Sequence, residues 1–186
     1  MARLVLRGRG ASHSRVVPAH RDQSEDRAGP PSGAGPAGAA PAASAVAHTW
    51  EIRLPAVLET LGLVRTGLRR RLGQLAWPDD AALDVLLAVN EAVSNAVEHA
   101  FPPGAPDGTV EIAAEVEPVG GRRRLRVRIR DTGRWLPRPV PEPDVNRRRG
   151  LPMMTALMAE VLIHRGGQAP DDGTTVTLLS PSVPTL

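Results

Sequence analysis

The sequence has no cysteine, no lysine and no tyrosine, and its aromatic residues are one Phe and three Trp. Without cysteine there is no disulfide scaffold, no thiolate zinc site and no thiol catalysis. Aromatic residues make up 2% of the chain, too few for the stacking platforms that hold single-stranded nucleic acid. Nowhere do about 18 apolar residues follow one another, so no segment reads as a membrane-spanning helix. The apolar stretch Leu4 to Leu6 is far shorter than the roughly 7–15 residues of a secretory leader core. These absences lead us to expect a soluble, cytoplasmic protein with neither a membrane nor a nucleic acid as partner.

The missing lysine and tyrosine also explain a misleading isoelectric point. The sequence pI is about 11.0, yet the formal net charge is only +3. Every strong base is Arg and nothing titrates near pH 10, so a small Arg excess sets the value. That excess lies in residues 1–47, where six Arg face Asp22, Glu25 and Asp26; beyond them 17 Arg meet 17 acids. A basic footprint of the kind nucleic acid requires is therefore weak over the folded part.

Gly (18) and Pro (19) are plentiful in the 186 residues, and six of the eight residues in Gly29-Pro30-Pro31-Ser32-Gly33-Ala34-Gly35-Pro36 are Gly or Pro. Such a segment cannot bury enough apolar surface to offset its ordering entropy, so residues 1–47 read as a disordered tail. A single domain is expected over 48–180, with a short tail over 181–186. Thr49–Leu54 alternates as a strand. Val57, Leu58, Leu61, Val64, Leu68 and Leu72 form a helical stripe over 56–73. Pro78-Asp79-Asp80 opens a second helix that Phe101-Pro102-Pro103-Gly104 stops near Ala100. Thr109–Glu117 and Arg124–Arg130 alternate as an antiparallel pair, acids on one solvent face and arginines on the other strand. A Pro- and Arg-rich loop over 134–149, a helix over Leu151–Met158 and strands over Glu160–Arg165 and Thr174–Leu179 complete the order. The fold class is α+β: a two-layer sandwich with a mixed, mostly antiparallel sheet and helices on one face.

Four places could carry chemistry. In Asn90-Glu91-Ala92-Val93-Ser94-Asn95-Ala96-Val97-Glu98-His99-Ala100, the residues Glu91, Asn95 and His99 fall at i, i+4 and i+8 and share a helix face. A carboxylate one turn from a carboxamide suits a Mg²⁺–phosphate site, since Mg²⁺ needs only one or two protein oxygens. Glu91 could then orient or deprotonate the nucleophile that attacks a terminal phosphate. A solvated helix face is the plainer explanation of the same spacing. Asp131-Thr132-Gly133 follows a strand; the carboxylate could accept from an exocyclic amine, and Gly133 would admit a base closely. Arg149-Gly150-Leu151 opens a helix, where backbone N–H groups and the dipole favour phosphate. Gly173-Thr174-Thr175-Val176 opens the last strand.

Taken in this order, the four motifs resemble those of the GHKL (Bergerat-fold) ATPase superfamily, and more closely the anti-sigma-factor serine/threonine kinases of the RsbW type. The resemblance spans roughly residues 48–180. It implies that ATP and Mg²⁺ are cofactors, with Glu91 as catalytic base and Asn95 as Mg²⁺ ligand. It implies that Asp131 meets the adenine amine above Gly133, and that Arg149, Gly150 and Leu151 lie along the phosphates. Thr174 or Thr175 would support the adenine end, His99 would sit near the phosphates or line the pocket, and 134–149 would be a lid. The implied partners are a STAS-domain anti-anti-sigma protein, a sigma factor and a second copy in a homodimer, though no dimer interface can be read from the sequence. The implied activity is phosphorylation of a Ser or Thr on the STAS-domain protein; the alternative is a non-catalytic module that sequesters a partner. Two departures favour the alternative. Arg147 and Arg148 stand where many relatives carry another Gly, and Pro152 removes one donor from the first helical turn.

Overall fold

In this computed structural model, residues 2–7, 49–101, 108–133, 150–166 and 173–185 are described. The elements are β1 (Ala2–Arg7), β2 (Thr49–Pro55), α1 (Glu59–Gln74), α2 (Asp79–His99), β3 (Thr109–Val119), β4 (Arg122–Asp131), α3 (Gly150–Leu157), β5 (Glu160–Arg165), β6 (Thr174–Leu179) and β7 (Val183–Pro184). The strands form one open sheet in the order β1-β5-β6-β4-β3-β2, with β7 added to β4. Every pairing among the described strands is antiparallel. The α+β fold with a mostly antiparallel sheet and helices on one face is therefore as expected. Among the described residues no helix is long and apolar enough to cross a membrane.

The period-2 alternation of β3 and β4 decides which face carries the helices. Val110, Ile112 and Ala114 on β3 and Leu125, Val127 and Ile129 on β4 are all at most 2% exposed. Their neighbours in sequence point the other way and are charged for the most part. Val64, Leu68 and Leu72 of α1, and Val85, Val89 and Val93 of α2, fill the opposing layer of the core. Gly67 lets α1 approach the sheet edge, since a Cβ there would stand 2.9 Å from the Trp50 ring of β2.

Two expectations need correction. Ala2–Arg7, read as part of a disordered tail, form a strand along β5, and Leu6 packs against the core. The low complexity of the following segment masked a short apolar strand at its start. The C-terminal tail likewise contains β7, whose Val183 is buried and faces Arg123 in the ladder with β4. The loop expected over 134–149 lies outside the described residues.

Arg123 is a buried arginine that joins no ion pair among the described residues. Its Nε donates to the Pro184 carbonyl at 3.0 Å, Nη1 to Leu75 at 2.7 Å and Nη2 to Ala76 at 2.9 Å. The guanidinium carbon lies 4.9 Å from the centre of the Trp77 ring, within cation–π range. These contacts tie β4 and β7 to the turn between α1 and α2, where Ala76 adopts a φ of 43°. They thereby fix the start of α2, the helix that carries the polar motif.

Candidate functional site

The polar motif falls in the second half of α2, as its spacing requires. Ala92, Val93 and Ala96 point into the core, which leaves Glu91 and Asn95 on the flank facing α3. Asn95 Nδ2 donates to Glu91 Oε1 at 3.3 Å. That bond turns the amide oxygen of Asn95 away from the carboxylate, where it can serve as an acceptor or ligand. Gly150, the first residue of α3, lies directly against Glu91: a Cβ at this position would collide with Glu91 Oε1. Leu151 packs on the core beside it. One turn on, Ser94 Oγ donates to Glu98 Oε1 at 2.8 Å, and His99 Nε2 lies 3.8 Å from Glu98 Oε2.

Asp131 ends β4 in the same register as Leu125, Val127 and Ile129, so the alternation sends a carboxylate where a core residue would otherwise stand. It is 5% exposed. Its Oδ1 accepts from the backbone N–H groups of Gly133 and Thr174, each at 3.0 Å. Its Oδ2 has no hydrogen bond among the described residues. Burial pushes this carboxyl above the usual aspartate range, against the opposing effect of the Thr174 and Gly133 N–H groups. Two glycines make the arrangement possible. A Cβ at Gly133 would collide with the Ala100 carbonyl at the end of α2, and a Cβ at Gly173 with the Asp131 carbonyl. Gly173 also has a φ of +47°, a conformation open to glycine at little cost. Thr132 completes the link to β3, accepting from Thr109 N–H at 3.2 Å.

The structure thus brings Glu91, Asn95, Gly150 and Leu151 together at one point of α2, and Asp131, Gly133 and Thr174 together at its end. Nine residues of helix separate Glu91 from Ala100, about 13 Å at 1.5 Å per residue. Thr175 is not part of either group. It pairs with Arg130 and His164 in a row on the opposite face of the sheet, so only Thr174 meets Asp131. Arg149 lies outside the described residues. Gly173 stands in the fourth motif, but the sequence assigns it no role of its own; its positive φ and contact with Asp131 emerge only in three dimensions.

The residues present fit an adenine nucleotide. A buried carboxylate with one oxygen fixed by two N–H groups and the other unengaged is an acceptor for an exocyclic amine. Gly133 and Gly173 let the end of α2 and the start of β6 close on that carboxylate, since a Cβ at either would strike backbone. Among the described residues no group of three or more His, Asp and Glu could hold a metal ion, so Mg²⁺ would depend mainly on phosphate oxygens and water, with Asn95 as the protein oxygen.

Residues 54–179 match the family model of the histidine kinase-like ATPase domain, HATPase_c_2. Among solved structures, the chain is similar to the RsbU and RsbW domains of Rv1364c from Mycobacterium tuberculosis, at 29% identity and a TM-score of 0.56. The similarity covers 74% of this chain and 33% of that one, so the chain spans about a third of that structure's length. No curated protein matches it.

Proposed function

The chain belongs to the histidine kinase-like ATPase domain family, an ATP-binding regulatory domain of the GHKL type, and we propose that it is a protein-serine/threonine kinase that phosphorylates a STAS-domain protein in a partner switch with a sigma factor. The observation that carries this reading is the Glu91–Asn95 pair, held by a hydrogen bond of 3.3 Å against the start of α3. Bound Mg-ATP supplies the transferable phosphoryl group and a cation that offsets its charge. Asp131 Oδ2 accepts from the adenine amine, while Thr174 and Gly133 hold Oδ1 in place. Asn95 presents its amide oxygen to the cation. Glu91 takes the proton from the attacking Ser or Thr hydroxyl. The N–H groups at the start of α3 would supply further donors to the phosphates.

A second reading is favoured by the contact between Gly150 and Glu91. The start of α3 covers the carboxylate that would act as base, and Pro152 leaves one donor fewer in the same turn. A domain arranged in this way can hold a nucleotide and sequester a partner without transferring phosphate. Radiolabelled ATP and a STAS-domain protein distinguish the two. The kinase reading requires phosphate transfer that Glu91→Ala abolishes while nucleotide binding persists. No transfer by a protein that binds Mg-ATP would leave the sequestering module.

A further inference from the structure

The two edges of the sheet are built differently. β2, at one edge, alternates with exposed Glu51 and Arg53 and ends at Pro55. Charges and a proline are devices that keep an edge from pairing further. β5, next to the other edge, lacks both across its middle, which is Val161, Leu162 and Ile163. Val161 is fully buried and Ile163 is 6% exposed. A continuous apolar run of this kind belongs to an inner strand, which needs a neighbour on both sides. β6 is one neighbour. The other is β1, which pairs with β5 alone. Leu6 stands opposite Val161 and packs against the core. Leu4 stands opposite Ile163 yet is 38% exposed, so the helix layer covers little beyond Leu6. Val5 pairs with Leu162 on the open face, away from the helices. β1 is thus held by its ladder and one core leucine, and residues 8–48 separate it from β2 at the far edge of the sheet.

We infer that the side of β5 away from β6 is a strand-addition site for an extended segment of another protein, and that β1 is its occupant within the chain. The ladder supplies the hold, because main-chain N–H and C=O groups pair whatever the side chains are. Side chains then set the class of segment accepted. The residue opposite Val161 must be aliphatic to close the core as Leu6 does. The residue opposite Ile163 is aliphatic too. Glu160, whose partner in the register is Arg7, favours a base directly after the residue opposite Val161. The fitting partner therefore offers two aliphatic residues with one residue between them and a base next, entering antiparallel to β5. Such a segment meets the same backbone groups as β1. A partner that also touches the domain elsewhere gains effective concentration and displaces β1. Until then β1 keeps the β5 edge from pairing with unsuitable strands. Glu91, Asn95 and Asp131 lie on other elements, so strand addition stands or falls independently of nucleotide binding.

Hydrogen exchange of the full chain, with and without a synthetic peptide carrying the sequence of residues 2–9, tests it. In the wild type the β5 amides that face β1 should be protected, and the peptide should add little. Leu6→Asp sets a carboxylate against the core and should release β1, so that those amides exchange at least about tenfold faster. Millimolar peptide should restore their protection in the Leu6→Asp chain and should bind the wild type at least about tenfold more weakly. An unrelated peptide that keeps only the pattern (aliphatic, any residue, aliphatic, base) should also restore protection, and a scrambled one should not. Leu4→Asp, at the partly exposed position, should act in the same direction with less strain on the fold, which thermal melts check. Unchanged β5 exchange in both folded variants, peptide binding that leaves β5 unprotected, equal binding to wild type and variant, or protection by the scrambled peptide would each overturn the inference. So would β5 protection in the wild type that falls on dilution, since β1 would then come from a second copy.

Discussion

The two ends of the β4 core column carry buried charges with opposite fates. Leu125, Val127 and Ile129 form the middle of the column; Arg123 stands at one end and Asp131 at the other. All three guanidinium nitrogens of Arg123 donate to carbonyls. Asp131 spends one oxygen on two N–H groups, and the other has no hydrogen-bond partner among the described residues. A buried charge must be compensated or the fold bears a large desolvation cost. Each guanidinium nitrogen of Arg123 meets a carbonyl of the protein, so Arg123 fastens the fold. Asp131 is compensated in part, which marks a place where something else completes the set.

Removing Arg123 should break the fold and spare the site chemistry. Arg123→Ala leaves three carbonyls without donors and uncovers Trp77, and should cost about 3 kcal/mol or more of stability. The shift in urea midpoint measures it. Asp131→Ala should do the reverse. ATP affinity measured by calorimetry should fall by about 10–100-fold, the worth of a hydrogen bond to a charged group, with a smaller change in melting temperature.

Titration sharpens the contrast with a third carboxylate, on the open face. Burial raises the Asp131 carboxyl, so its ionisation opposes folding: stability is lost as pH rises from the ordinary aspartate value through the raised one. In Asp131→Asn that loss should vanish. At Glu117 burial also pushes upward, but hydrogen bonds from Arg126 and Arg124, together with their charges, outweigh it and hold the carboxyl below its usual range. Its contribution is present above the ordinary glutamate value and is lost as pH falls through the lowered one, so Glu117→Gln should flatten the acid limb of the stability curve. The smallest effect belongs to Arg128→Ala, next to buried Ile129 but on the solvated face: within about 0.5 kcal/mol of wild type by chemical denaturation.

Much of this was legible in the sequence because it rests on local periods. The alternation of Thr109–Glu117 and Arg124–Arg130 fixed both faces of the central strands, and the i, i+4 spacing of Glu91 and Asn95 placed them side by side. Asp131 could be seen as a carboxylate after a strand, but its burial follows only from being in step with Ile129. What escaped depends on distant partners. Arg123 looks like one more arginine in Arg122-Arg123-Arg124, and nothing local shows that carbonyls 47 and 48 residues away receive it. Thr174 and Thr175 are equivalent as letters; the pleat separates them, and only the ladder with β4 says which one turns toward Asp131. β1 was hidden because one short strand gains its ladder from β5, nearly the whole chain away.

The most direct test is a calorimetric titration of ATP into the full chain with and without Mg²⁺, repeated with Asn95→Ala. The account predicts Mg²⁺-dependent ATP binding that Asn95→Ala abolishes. A folded protein that binds no ATP, or binds it equally well without Mg²⁺ and with Asn95→Ala, would contradict it.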